Sequence, residues 1–138
     1  MAKDDEAMEL LVNTFTKGGS QFMCHASPVS HQSKDKFKIE LSKQLLEKRI
    51  KGDEFLSQKA SIFLEGDIFV ELTFGLHKSR FGIKKNDIDN LSKHTLDCLK
   101  GLLFKDDSQI KRICATKYYL NPPSKEWTGI RIQKWKNG

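Results

Sequence analysis

The residues of this chain best equipped for chemistry are aspartates. Asn86-Asp87-Ile88-Asp89-Asn90 sets two carboxylates two positions apart, and Lys105-Asp106-Asp107-Ser108 adds two more further along. Lys93 and Asp97 follow Asp89 at successive i to i+4 steps, so a helix here presents all three on one exposed face. Carboxylates gathered together repel one another and their pKa values rise unless a cation neutralises them. Donors that are all oxygen suit a hard ion, magnesium with manganese as a substitute, and His94 on such a helix points away from the acidic stripe. An ion of this kind orients and deprotonates a water and stabilises charge on a phosphoryl oxygen, which is the chemistry of phosphodiester hydrolysis. Lys93, one turn along, is placed to hold the scissile phosphate or neutralise the leaving oxygen. The same spacing has a plainer account: Asn86 or Asp87 as helix N-cap, Asp89 as a first-turn acid, Lys93 as its i to i+4 partner, and Asp106-Asp107 as a surface turn. Spacing alone does not separate the two. A calcium loop is excluded, because its third ligand position is Leu91, its required glycine is Ser92 and its closing glutamate is Cys98.

These acids stand against the charge of the rest of the chain. Lys and Arg number 24 against 18 Asp and Glu, a net charge of +6 that suits a polyanionic partner. The excess is uneven. Residues 21–86 carry a net +4 and residues 111–138 a net +6, with Glu126 the one acid in the latter. Between them residues 87–110 carry a net −2, and residues 1–20 another −2. An acidic island inside a basic protein calls for a cation or a catalytic task.

The elements that must position these residues read as follows. The chain has 138 residues, enough for one domain, here placed at 21–138 with 1–20 as an N-terminal extension of unassigned structure. Phe22 to His25 reads as a short strand running into the Ser27-Pro28 turn. Phe37, Leu41 and Leu45 mark an amphipathic helix from Ser33, which can cap it, to Ile50. Asp67 to Leu76 is the clearest strand, with Ile68, Val70, Leu72, Phe74 and Leu76 forming an apolar face, and it should be central. A basic loop, His77 to Lys85, leads into a second helix from Ile88 with a stripe of Ile88, Leu91, Thr95, Leu99 and Leu102, ending near Gly101. Ile110 to Tyr119 and Thr128 to Trp135 are strands separated by a turn at Asn121-Pro122-Pro123. The order β-α-β-α-β-β describes an α/β (α+β) fold, a small mixed sheet with helices packed on one face. If the third strand lies beside the second, as a β-α-β crossover places it, Asp107 and the Asp87/Asp89 pair approach the same end of the sheet.

Cys24, Cys98 and Cys114 are odd in number and widely spaced, which reads as buried thiols rather than a disulfide or zinc framework. The longest apolar runs are three residues, far short of a membrane helix, and the acidic start is unlike a secretory signal. A cytoplasmic location is expected.

Residues 86 to 110, Asn-Asp-Ile-Asp-Asn-Leu-Ser-Lys-His-Thr-Leu-Asp-Cys-Leu-Lys-Gly-Leu-Leu-Phe-Lys-Asp-Asp-Ser-Gln-Ile, closely resemble the RusA family of Holliday junction resolvases, whose pattern is Asp-x-Asp-Asn-Leu-x-Lys, an Asp near mid-helix, then Asp-Asp-x-Gln before a strand. The likeness extends more weakly over roughly residues 21 to 135, including Ala26-Ser27-Pro28-Val29-Ser30. The resemblance implies a magnesium-dependent homodimeric endonuclease that nicks four-way DNA junctions symmetrically in recombination and repair. By position, the family's catalytic and metal-binding acids fall on Asp87, Asp89 and Asp107, its essential lysine on Lys93, and supporting roles on Asn90, Asp97 and Asp106. Where some relatives carry several arginines before the first Asp, this chain has Lys84, Lys85 and Asn86, a less bidentate phosphate grip.

Within that implied function, Lys78, Arg80, Lys84 and Lys85 are the DNA contacts expected from the loop, joined by Lys117, Arg131, Lys134 and Lys136 along the C-terminal flank. Phe81, Tyr118 and Tyr119 are candidates for stacking on bases, with core packing the expected fate of both tyrosines. Trp127 and Trp135 read as core or dimer-interface anchors. The alternatives are a broader structure-selective nuclease acting on branched DNA and, from another class, a non-catalytic nucleic-acid-binding module whose acids are only helix caps.

Overall fold

A computed structural model describes residues 19–25, 31–50, 64–77, 87–121 and 125–135. The elements are β1 (Ser20–Cys24), α1 (His31–Ile50), β2 (Ile68–His77), α2 (Ile88–Leu99), β3 (Ile110–Leu120) and β4 (Trp127–Lys134), with a 3₁₀ turn at Asp107–Gln109 just before β3. Their order is the expected β-α-β-α-β-β. Element ends move by one or two residues, and α1 begins at His31, so Ser33 lies inside its first turn instead of capping it. The readings of residues 1–17, the Ser27-Pro28 turn, residues 53–63 and the Pro122-Pro123 turn lie outside the described residues.

The four strands form one mixed sheet in the order β1-β4-β2-β3. β2 is central, antiparallel to β4 and parallel to β3, with Ile68 beside Ile110 at one end and His77 beside Leu120 at the other. On one face, Ile68, Val70, Leu72, Phe74 and Leu76 join Phe22, Ile130 and Ile132. Phe37, Leu41 and Leu45 of α1 and Leu91, Cys98 and Leu99 of α2 complete that buried core, and Leu103 and Phe104 follow α2 into it. The α2 stripe is as expected except that Cys98 is buried while Ile88 is only half-buried. Lys100 adopts an extended conformation as C-cap and Gly101 follows with φ 85°, a left-handed geometry that glycine takes without a Cβ penalty.

The opposite face of β2 corrects a reading of the sequence. Arg131 was expected among the cations that grip DNA; it is buried, and so is Glu71 on this face. They stand directly across β2 and β4, and Arg131 Nη1 donates to Glu71 Oε1 at 2.6 Å. Arg131 also donates to Gln133. An interior charge survives only when it is paired and hydrogen-bonded, which is why this arginine is committed to the fold and withheld from solvent. Near it Gly75 leaves room for an indole, since a Cβ there would meet Trp127 Cε2 at 2.5 Å. Trp135 stands edge-on to Phe69, with the Arg112 guanidinium 5.1 Å from the Phe69 ring centroid.

The two edges of the sheet differ. β1 is tied to α1: Gln44 accepts from the Met23 N–H and donates to the Met23 carbonyl, and Glu40 accepts from the His25 N–H. β3, eleven residues long, has a strand neighbour on one side only among the described residues. The far end of the sheet is clamped by Glu126, the lone acid of the C-terminal flank, whose carboxylate accepts the His77 N–H at 2.8 Å and whose carbonyl lies 3.0 Å from His25 Nδ1.

The cysteines are free, as expected, with Cys24 and Cys98 buried and Cys114 half-buried. Burial, aided by the Glu40 charge, pushes the Cys24 thiol up to about 12, and burial also raises Cys98. Raised thiol values stabilise the fold fully below pH 9, and that contribution drains away as the pH climbs from 9 toward 12. With a disulfide reagent at pH 8, Cys114 is expected to react in the native protein, and Cys24 and Cys98 only after denaturant is added. Arg131→Met alone should cost about 3–5 kcal/mol in urea unfolding because it strands the Glu71 carboxylate, and adding Glu71→Leu should return most of that loss.

Candidate active site

α2 and the start of β3 border a groove of about 810 Å³, lined on the helix side by Ile88, Asp89, Ser92, Lys93, Leu96 and Asp97. Asp107, Ile110, Lys111, Arg112, Ile113 and Ala115 line the other side. Its lining mixes aliphatic residues with acids and bases; of the bases on the strand side, Lys111 Nζ lies 3.8 Å from Asp67 Oδ1 and the Arg112 guanidinium lies over the Phe69 ring. Asp89, Lys93 and Asp97 are exposed along one face of α2, as their spacing requires. His94 is turned away, half-buried, its Nδ1 lacking a hydrogen-bond partner among the described residues.

Asp87 occupies the N-cap position with φ −63° and ψ 149°, and its carbonyl accepts the Leu91 N–H at 3.0 Å. Its side chain makes no capping hydrogen bond. The plain account of Asp87 as a side-chain cap therefore fails, and its exposed carboxylate stands beside the positive end of α2. Asn90 is half-buried in the first turn.

The second acidic pair divides in the opposite sense. Asp106 is structural. Its carboxylate accepts the Ser108 N–H at 3.1 Å, and with Gln109 it forms a capping box around the 3₁₀ turn. Gln109 accepts from the Lys105 and Asp106 N–H groups and donates to the Leu64 and Gly66 carbonyls, at 2.9 and 3.0 Å. This side chain nails the turn to the chain just ahead of β2. Asp107, released from any capping duty, turns its exposed carboxylate toward Lys100, 4.0 Å away. Both partners are about half exposed, so the pair orients Asp107 more than it stabilises the fold.

Asp107 and the Asp87/Asp89 pair lie at different ends of α2. Leu103 and Phe104, just past the helix, pair with Leu64 just before β2, so α2 finishes where β2 and β3 begin. Asp107 sits there with Lys100. Asp87 is thirteen residues before Lys100, about 20 Å along the axis at 1.5 Å per residue. Parallel pairing of β2 with β3 does this, because the connecting helix must travel back along the strands. Among the described residues no three His, Cys, Asp or Glu side chains come close enough to share a metal ion.

Of the expected DNA contacts, Lys78, Arg80, Lys84 and Lys85 lie outside the described residues, as do Phe81, Asn86 and Lys136. Arg131 is buried, Lys117 half-buried and Lys134 exposed. Tyr118 packs half-buried against Trp127, whereas Tyr119 stands 38% exposed with Lys117 Nζ 5.5 Å from its ring centroid, contrary to the expected core packing of both. The sequence reading missed Lys111 in the groove lining and the anchoring role of Gln109, though Gln109 follows the Asp-Asp pair at capping-box spacing and so carried a signal. Gln109→Ala should lower stability by about 1–2 kcal/mol in chemical denaturation by undoing these bonds, and should loosen Asp107 as read by faster amide exchange at residues 106–110.

Comparison with known protein families matches residues 29–133 to the one described as Endodeoxyribonuclease RusA. No curated protein matches the chain. Among the described residues no helix is long and apolar enough to cross a membrane.

Proposed function

The chain belongs to the RusA endodeoxyribonuclease family, and from that premise we propose that it is a Holliday junction resolvase, cutting four-way DNA junctions by paired symmetric nicks in recombination and repair. The observation that carries this reading is the groove between α2 and β3, lined by the exposed Asp89, Lys93 and Asp97 of the helix and by Asp107, Lys111 and apolar residues on the strand side. Cations on the rim suit the phosphates of a DNA strand, and such contacts are independent of sequence. Acids beside them suit hydrolysis of the phosphate they hold.

In this reading Asp87, Asp89 and Asp107 are the catalytic acids and Lys93 the lysine that meets the scissile phosphate or its leaving oxygen. Asp97 supports Lys93 from one helical turn away, and Asn90 supports the first turn of α2. Asp106 holds the turn that presents Asp107. Magnesium, with manganese as a substitute, is the proposed cofactor. Two opposed cuts on a two-fold symmetric junction call for two identical sites, hence a homodimer. Lys78, Arg80, Lys84 and Lys85 remain the proposed contacts to the junction arms.

The test is incubation of a labelled four-way junction, a flap and a linear duplex with the protein, with and without magnesium, alongside Asp107→Asn. The expected outcome is paired, ligatable nicks on the junction, lost on chelation, with the variant still binding the junction while its cleavage falls by at least about 100-fold. Equal cutting of flap and junction would favour the broader branched-DNA nuclease. Cleavage indifferent to Asp107→Asn would overturn the site assignment, and binding without cleavage by the unaltered protein would overturn the enzyme.

A further inference from the structure

We propose that Arg112 is a phosphate clamp on the face of β3 turned away from α2: its guanidinium, held against the Phe69 and Trp135 rings, grips the backbone of a DNA arm that crosses the edge of the sheet. The inference rests on the nuclease reading above for its partner and adds a contact that lies outside the acidic stripe of the groove.

A register shift aims the side chain. Ile68 stands beside Ile110 and Phe69 beside Arg112, so β3 carries one extra residue, Lys111, against β2 at this point. On a regular strand side chains alternate between faces, and Ile110 and Arg112 would share one. The bulge breaks that alternation. Ile110 packs against the core that contains Ile68, whereas Arg112 crosses to the opposite face with Phe69, its Cζ 5.1 Å from that ring centroid and 6.0 Å from the Trp135 ring. Bulges are frequent beside active sites because they re-aim a side chain in this way. Asp107 is five residues earlier, at most about 18 Å of extended chain. At about 3.4 Å of helix axis per nucleotide, a phosphate held by Arg112 lies within about five nucleotides of Asp107.

The guanidinium has no acid of its own. Other cations at this end and on this face of the sheet are committed, Arg131 to Glu71, Lys111 to Asp67 and Lys100 to Asp107. Arg112 is exposed, and among the described residues no hydrogen bond or ion pair takes up its N–H groups. Its charge is permanent, and its planar fork matches two oxygens of one phosphate. The two rings restrain a side chain that would otherwise sample many rotamers, so less ordering entropy is lost on binding. A stack that only closes the sheet is the plainer account, and DNA binding separates the two.

Binding of a labelled four-way junction is measured without divalent metal, so that nothing is cut, over a series of salt concentrations. The proteins are the unaltered chain, Arg112→Ala, Arg112→Lys and, as a charge-matched control, Lys43→Ala on the exposed side of α1; urea unfolding of each is followed in parallel. Arg112→Ala should bind about tenfold more weakly, and the slope of log K against log salt should fall by about one. Arg112→Lys should keep the slope and still lose several-fold in affinity, because an ammonium keeps the charge and loses the fork. Lys43→Ala should match the unaltered protein in both. Arg112→Ala equal to Lys43→Ala in affinity and slope would overturn the proposal, and with a lowered urea midpoint would leave a structural stack alone. Arg112→Lys binding as tightly as the unaltered protein would overturn it too, by reducing the clamp to a point charge. If the unaltered protein binds the junction and cuts nothing once magnesium is added, the nuclease reading fails and the slopes still decide the clamp. No DNA binding by the unaltered protein overturns the clamp directly.

Discussion

Parallel pairing of β2 with β3 is the constraint on which the rest of this molecule turns. Two parallel neighbours cannot be joined by a tight turn, so the chain leaving His77 must come back the length of the sheet before β3 can start beside Ile68. α2 makes that return, with its apolar stripe on the core and its Asp89, Lys93, Asp97 stripe in solvent. The return ends in a junction fastened by Leu64, Leu103 and Gln109. The candidate site lies along this connection: Asp87 and Asp89 at its start, Lys93 on it, Asp107 after it, and the groove between it and β3.

The same constraint separates the two aspartate pairs that flank α2, and within each pair the carboxylates are used differently. Asp106 spends its carboxylate on the turn that starts β3, and in doing so holds Asp107 outward. Asp87 lends α2 its carbonyl while keeping its carboxylate out of the cap. Each pair of neighbours thus combines an architectural task with an exposed carboxylate, and α2 runs between the two pairs. Keeping the two acidic pairs at opposite ends of α2 spares the single chain their mutual repulsion.

Charge has two further uses away from the groove. The Glu71–Arg131 pair places an ionic crosspiece between the two inner strands, where an unpartnered charge would be intolerable. Glu126 stitches the other end of the sheet by accepting the last N–H of β2 and lending its carbonyl to His25. The basic excess of the chain is therefore not all available to DNA: part of it is structural, and the one acid in the C-terminal flank is a strand clamp.

The element order and the core were legible in the sequence because they follow from short-range periodicity: Ile68 to Leu76 at a spacing of two, and Phe37, Leu41 and Leu45 at the helical repeat. The exposed acid and lysine stripe of α2 was legible for the same reason, and the RusA-like string marked which aspartates to watch. What lay beyond the sequence depends on long-range register. Glu71 and Arg131 are sixty residues apart and become partners only because β2 and β4 align them. Likewise a short loop and a helix can be read locally, but which end of the sheet Asp107 occupies depends on the direction in which β3 runs beside β2. The residue types settled what chemistry is on offer; strand direction decided that one chain does not bring it all to a single point.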